Sequence, residues 1–328
     1  MDSRLRGNDA KDKDTTMTFA FVFPGQGSQS PGMLDAWGNN PAVQAVLQEA
    51  SSALGQDIGK LIAEGTKEEL ALTTNTQPVM LVAGIAAYRA WLAEGGAVPA
   101  IVAGHSLGEY TALVASGVLT LAQAVPLVRL RAAAMQEAVP VGVGAMAAIL
   151  GLDADKVKEI CQQSSAGTGE IAEAVNFNDP GQTVIAGTKA GVEKACADLK
   201  AAGAKRALPL PVSAPFHSSL MQPAALKLQA ALADLQLGAA QIPVLNNIDV
   251  AVETDAARIK DALVRQAAGP VRWVECVQAI QARGVTTIVE CGPGKALAGM
   301  VKRISPDLAA LNLLDPASLA EVKAALAV

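Results

Sequence analysis

The chain is poor in aromatic residues and holds only two histidines. Across 328 residues, Phe, Trp and Tyr together make up 3%, while apolar residues reach 51%. The apolar mass is therefore Ala, Val, Leu and Ile, the composition of helices packed on a buried parallel sheet. A basic excess is also missing. The net charge of -5 leaves no electrostatic footprint for nucleic acid. The four cysteines, Cys161, Cys196, Cys276 and Cys291, include no C-x-x-C pair. That argues against a cysteine-held zinc site and against a disulfide framework. They read as reduced, mostly buried thiols of a cytoplasmic protein, and no metal is expected.

No long apolar run is left uninterrupted. Thr111 to Val128 carries no charge over 18 residues, which is near the length of a membrane span. It also contains Ser116, Gly117, Thr120, Gln123 and Pro126. Gly117 reads as a helix stop and Thr120 as the start of a second helix, so two buried helices are expected rather than a span. Residues 1–16, MDSRLRGNDAKDKDTT, are highly charged and lack the apolar segment of a secretory signal. A disordered extension is expected there, ahead of a first strand within "MTFAFVF".

Strand and helix patterns then alternate. Phe19 to Phe23 is a short apolar run ended by Pro24-Gly25, and Ala100 to Ala103 is another. Helical patterning covers 41–53, 58–63 and 77–94. This alternation argues for a mostly parallel α/β sheet. After Pro140 the order changes. Strands are read at Ala145–Leu150, Ile171–Asn176, Gln182–Ala186 and Arg206–Leu210, and helices at 153–163 and 189–202. That order, βαββαβ, is the split unit of ferredoxin-like folds. The expected organisation is a catalytic domain formed by 17–139 and 213–328, interrupted by a ferredoxin-like subdomain at 140–212.

"AGHSLGEY" carries a Gly-x-Ser-x-Gly centred on Ser106, between a strand and a helix. This is the nucleophile-elbow pattern, whose glycines permit the sharp turn and close packing. A serine nucleophile needs a base. Of the two histidines, His105 adjoins Ser106, and neighbours in a sharp turn point apart. His217, in "PVSAPFHSSLM", is the better candidate. Asp249, Glu253, Glu290 or a main-chain carbonyl could orient it, and the pattern selects none of them. "FPGQGSQSPGM" follows the first strand and offers backbone N–H groups for an oxyanion hole. Read as a dinucleotide fingerprint, Gly25-x-Gly27-x-x-Ser30 lacks its third glycine and its later acidic residue. "LVRLRAAAMQ" sets Arg129 and Arg131 in an apolar stretch, and a buried arginine there would need an anion.

Taken together, these segments resemble the malonyl-CoA:acyl carrier protein transacylases of bacterial type II fatty acid synthesis. "FVFPGQGSQ", "GHSLGEY", "RLRAAAMQ", "NFNDPGQ", "PVSAPFHSSLM" and "ECGPGKAL" occur in the family's order between Phe19 and Val301. The resemblance implies an α/β-hydrolase-like domain with a ferredoxin-like insertion. It implies that Ser106 carries the malonyl group as an ester and that His217 is base and then acid. It places the oxyanion hole at Gln26 and Leu107, the malonyl carboxylate on Arg131, and the carbonyl that orients the histidine at Gln266. The implied substrates are malonyl-CoA and acyl carrier protein, with no cofactor, nucleic acid or membrane. Phe216 stands where several bacterial relatives have serine, and its ring should crowd a branched methylmalonyl group. Lys205, Arg206, Lys302 and Arg303 are candidates for a basic patch facing the acidic carrier. Two other readings share these residues or lack the chemistry: an esterase or thioesterase, and a catalytically silent carrier-docking module.

Overall fold

The computed structural model describes residues 18–212 and 214–327. The expected extension at 1–16 lies outside them. Along the chain the strands are β1 (Phe19–Phe23), β2 (Ile101–Gly104), β3 (Gly144–Leu150), β4 (Ala172–Asp179), β5 (Gln182–Thr188), β6 (Arg206–Pro209), β7 (Val244–Leu245), β8 (Thr287–Cys291) and β9 (Ala309–Leu313). They form two sheets. A parallel sheet runs β7-β2-β1-β8-β9, and an antiparallel sheet runs β4-β5-β3-β6.

The central strand β1 shows how the scarce aromatics are used. Every residue of FAFVF is buried, because helices cover both faces of the parallel sheet. Phe19, Phe21 and Phe23 alternate onto one face, where they meet Tyr88 and Trp91 edge-on at ring separations of 5.6–6.3 Å. Such pairs add about 0.5–1.5 kcal/mol each beyond their buried area. Tyr88 and Trp91 belong to the helix Thr73–Ala93, whose buried residues occur all round its circumference, as in a core helix. Ala20 and Val22 face the opposite way and pack with Ala103, Leu245 and Trp273.

The uncharged stretch after the elbow folds as two helices. Gly108–Ala115 ends before Gly117, and Leu121–Glu137 begins at a Thr120 capping box completed by Gln123. Among the described residues, no helix is long and apolar enough to cross a membrane. The helix expected over 77–94 starts earlier, at Thr73, with Pro78 inside it.

The antiparallel sheet follows the βαββαβ order. Asp153 caps the helix Ala154–Ser165 by accepting from Lys156 N–H at 2.9 Å. This helix and Lys189–Ala201 bury Val157, Ile160, Val192, Ala195 and Leu199 against one face of the sheet. The other face carries Met146, Val175, Val184 and Ala186 against the partly buried Leu210, Val212 and Phe216. β4 ties the antiparallel sheet to segments that flank the parallel one. Phe177 N–H donates to Val271 O at 3.0 Å, and Val271 N–H donates to Val175 O at 2.8 Å. Arg303 Nε donates to Asp179 Oδ2 at 2.7 Å.

Candidate active site

β2 ends at Gly104 and the helix Gly108–Ala115 begins four residues later. The turn between them is tight. A Cβ on Gly104 would collide with the Gly108 backbone, and one on Gly108 would collide with Phe23 O. Ser106, at its apex, has φ 53°, a left-handed conformation disfavoured for a residue with a Cβ. Asn247, just after β7, holds the turn from behind. Its Oδ1 accepts from Ser106 N–H at 2.8 Å, and its Nδ2 donates to Gly104 O at 2.8 Å.

His217 also has a left-handed backbone, φ 66°, and is buried. Its Nε2 lies 2.7 Å from Ser106 Oγ, and its Nδ1 lies 2.9 Å from the main-chain oxygen of Gln266. A carbonyl can only accept, so Nδ1 carries the proton and Nε2 is the free acceptor for the serine hydroxyl. Burial, followed by the positive charge of Arg131, drives the His217 pKa down to about 3. The imidazole is therefore neutral at physiological pH, with Nε2 free to accept a proton.

His105 points elsewhere. Its Nε2 is 2.8 Å from Asn178 Oδ1 on β4, and its ring packs at 5.5 Å from the Trp273 ring. The candidate acids for orienting His217 are also engaged elsewhere. Asp249 pairs with Arg265 at 2.6 Å, Glu253 with Arg258 at 3.7 Å, and Glu290 accepts from Ala298 N–H at 2.8 Å.

Arg131 is 2% exposed and turns into the site, whereas Arg129 turns to Gln56 Oε1 at 2.7 Å. Among the described residues Arg131 makes no ion pair. Its Nη1 donates to Gln77 Oε1 at 2.7 Å, and its Nη2 to Gln266 Oε1 at 3.1 Å and to Ser106 Oγ at 3.2 Å. The guanidinium also lies over the Tyr110 ring, 5.3 Å from its centre. A cation held by neutral acceptors keeps its charge available to an incoming anion.

The loop after β1 runs against the elbow so closely that a Cβ on Gly25 would sit 2.6 Å from His105 O. Gln26, the next residue, lines the site, and its Oε1 accepts from Thr73 Oγ1 at 2.9 Å. Leu107 follows the serine and immediately precedes the helix. Gln26, Ser106, Leu107, Arg131, Phe216 and His217 line one cavity of about 130 Å³ between the two sheets. That is below the usual 300–1,000 Å³ of small-molecule sites, so it suits a short acyl group.

Sequence reasoning did not find Thr73, Gln77, Glu109, Asn178 or Asn247. Glu109 alone leaves a sequence signal, as an acid in the first turn of an otherwise uncharged buried helix. Its carboxyl is pushed up to about 7 by burial, against the pull of Asn247 N–H, Gln266 Nε2 and Arg131. Among the described residues, no cluster of His, Cys, Asp or Glu could hold a metal ion.

A serine paired with a neutral histidine, on an elbow beside an unpaired arginine, has the geometry of covalent acyl transfer. The sequence matches the acyl transferase domain family over residues 20–308, and the chain belongs to that family. It is 54% identical to the malonyl CoA-acyl carrier protein transacylase of Salmonella typhimurium, with 92% of this chain and 97% of that protein aligned. A crystal structure of an acyl-carrier-protein S-malonyltransferase from Burkholderia pseudomallei superposes with a TM-score of 0.92 at 65% identity, covering 95% of this chain and all of that one. A malonyl-transacylase solved in complex with a type II polyketide acyl carrier protein superposes at 0.91 with 50% identity, covering 94% and 98%.

Proposed function

We propose that this protein transfers the malonyl group of malonyl-CoA to the phosphopantetheine thiol of acyl carrier protein through a malonyl ester on Ser106. The single observation that carries the reading is the contact of Ser106 Oγ with both His217 Nε2 and Arg131 Nη2. The nucleophile, its base and an anion receptor meet at one oxygen.

The malonyl carboxylate binds the Arg131 guanidinium. Its thioester carbonyl then lies near Ser106 Oγ, with its oxygen toward Gln26 and Leu107 N–H. His217 Nε2 takes the hydroxyl proton as Oγ attacks, and the Gln266 carbonyl steadies the imidazolium through Nδ1–H. Collapse expels coenzyme A, whose sulfur receives the proton from Nε2. The carrier thiol then gives its proton to Nε2 and attacks the ester carbonyl; it departs bearing the malonyl group as a thioester, and Nε2 returns the proton to Ser106 Oγ. Each oxyanion donor contributes about 2.7–4 kcal/mol to such a step.

Residues 17–139 and 213–328 form the catalytic domain in this reading, and 140–212 the subdomain that walls the acyl cavity. The Phe216 ring narrows that cavity against a branched acyl chain. A cytoplasmic location agrees with the four free cysteines and with a carrier-protein substrate. In the carrier patch, Arg303 is already paired with Asp179, while Lys205, Arg206 and Lys302 are exposed. The test is malonyl transfer to carrier protein bearing phosphopantetheine. Malonyl-carrier formation supports the reading. Free malonate appearing at the same rate without carrier would replace transfer with hydrolysis.

A further inference from the structure

Gln266 stands at the centre of the site and makes more contacts there than its carbonyl alone. Its amide Oε1 accepts from Arg131, while its Nε2 donates to Glu109 Oε2 at 2.9 Å, to Ser106 O at 3.0 Å and, more weakly, to Asn247 Oδ1 at 3.3 Å. Glu109 Oε2 also accepts from Asn247 N–H at 2.8 Å. Asn247 in turn holds the two ends of the elbow. Glu109, 2% exposed, therefore supports both the turn that bears the serine and the amide that faces the arginine.

A carboxamide has two ends of nearly equal shape and opposite hydrogen-bonding sense. Turned round, Gln266 would present N–H groups to the Arg131 guanidinium and an oxygen to a carboxylate. Glu109 Oε2 already accepts two N–H groups, so it faces the amide as an acceptor whether the carboxyl is ionised or carries its proton on Oε1, and it opposes that reversal on the amide's far side. The carboxylate and the guanidinium also attract one another through the amide between them. We propose that Glu109 is a positioning residue that fixes the direction of the Gln266 amide, and through it holds Arg131 ready for an acyl group bearing a carboxylate. This rests on the proposed roles of Ser106, His217 and Arg131.

The readout is the ratio of malonyl to acetyl loading of Ser106, measured as single-turnover rates by intact mass with malonyl-CoA and acetyl-CoA. A general loosening of the fold lowers both rates together, whereas a misplaced Arg131 lowers the ratio. Glu109→Met is expected to lower the ratio at least tenfold. Glu109→Gln is expected to hold it within threefold, because a carboxamide oxygen can accept both hydrogen bonds. Its NH₂ then turns to the small cavity that Glu109 lines with Asn246 and Glu253. In a Gln266→Met background, which keeps the main-chain carbonyl under His217, Glu109→Met should change the ratio by less than threefold. Should Glu109→Met prevent folding, Glu109→Ala leaves room for water and is read in the same way.

An unchanged ratio in Glu109→Met, an equal loss in Glu109→Gln, or a full additional loss in the Gln266→Met background would each overturn the inference. Failure of the unsubstituted protein to take any malonyl group would instead overturn the functional reading beneath it.

Discussion

Ser106 and His217 lie 111 residues apart in sequence, meet at 2.7 Å, and both adopt left-handed backbone conformations. Each such conformation costs on the order of 1–3 kcal/mol in a residue with a Cβ, and it persists only where its surroundings over-determine it. Here the surroundings are identifiable. Asn247 grips the peptide groups of the elbow, and Gln266 O grips the imidazole. The strain at both residues serves one contact, the hydrogen bond from hydroxyl to imidazole.

The glycines of the elbow should be irreplaceable on steric grounds. Gly108→Ala forces a methyl group into Phe23 O on the central strand. Overpacking of this kind costs roughly 1–3 kcal/mol or more. A lower melting temperature and a lost acylation rate are expected, with calorimetry and intact mass as the measurements. A stable, fully active variant would show that the turn is looser than described.

Arg131→Ala should separate acidic from neutral donors. On the role proposed for Arg131, losing its charge-assisted hydrogen bonds to the malonyl carboxylate should slow malonyl loading by on the order of 10²-fold. Acetyl loading of Ser106 should change much less. An equal loss for both donors would remove Arg131 from substrate recognition and make it a structural cation.

The His217 pKa of about 3 sets a pH expectation. Acylation of Ser106 should not lose its base between pH 7 and 5, where an ordinary histidine with pKa 6.5 would protonate. Glu109, near 7, titrates inside this window, so the profile should be taken in Glu109→Gln as well. A limb at pH 6–7 that persists in that variant would contradict a neutral, buried His217. The same depression has a stability consequence. Between about pH 6.5 and 3 the unfolded chain binds the histidine proton and the folded one does not. This group's contribution is therefore full above 6.5 and declines as pH falls. His217→Gln should flatten that part of the stability curve.

Phe216 tests the shape of the acyl cavity. Its ring packs with Leu210 and Val212 on the site-facing side of the antiparallel sheet. Phe216→Gly should lower the preference for malonyl-CoA over methylmalonyl-CoA about tenfold, the scale of one methyl group in an apolar pocket. An unchanged preference would assign selectivity to another wall.

Much of this site was legible in the sequence, for particular reasons. Two histidines left one plausible base, and a glycine-flanked serine between strand and helix left one plausible nucleophile. Spacing alone left Arg129 and Arg131 open. The family resemblance selects Arg131, and the fold turns that side chain inward. The roles of Glu109, Asn247 and Gln77 stayed hidden because the contacts Gln77–Arg131, Glu109–Asn247 and Glu109–Gln266 span 54 to 157 residues, and no local period reports such contacts. The missed strands have their own causes. β7 is two residues long, and β9 is an edge strand in which Leu313 alone is fully buried, so neither leaves a clear apolar run.

The most direct measurement is the intact mass of the protein after brief mixing with malonyl-CoA and no acceptor. The expected result is the gain of one malonyl group, absent in Ser106→Ala and cleared onto acyl carrier protein when that is added. No adduct on the unsubstituted protein, or an adduct that survives Ser106→Ala, would contradict a malonyl ester on Ser106.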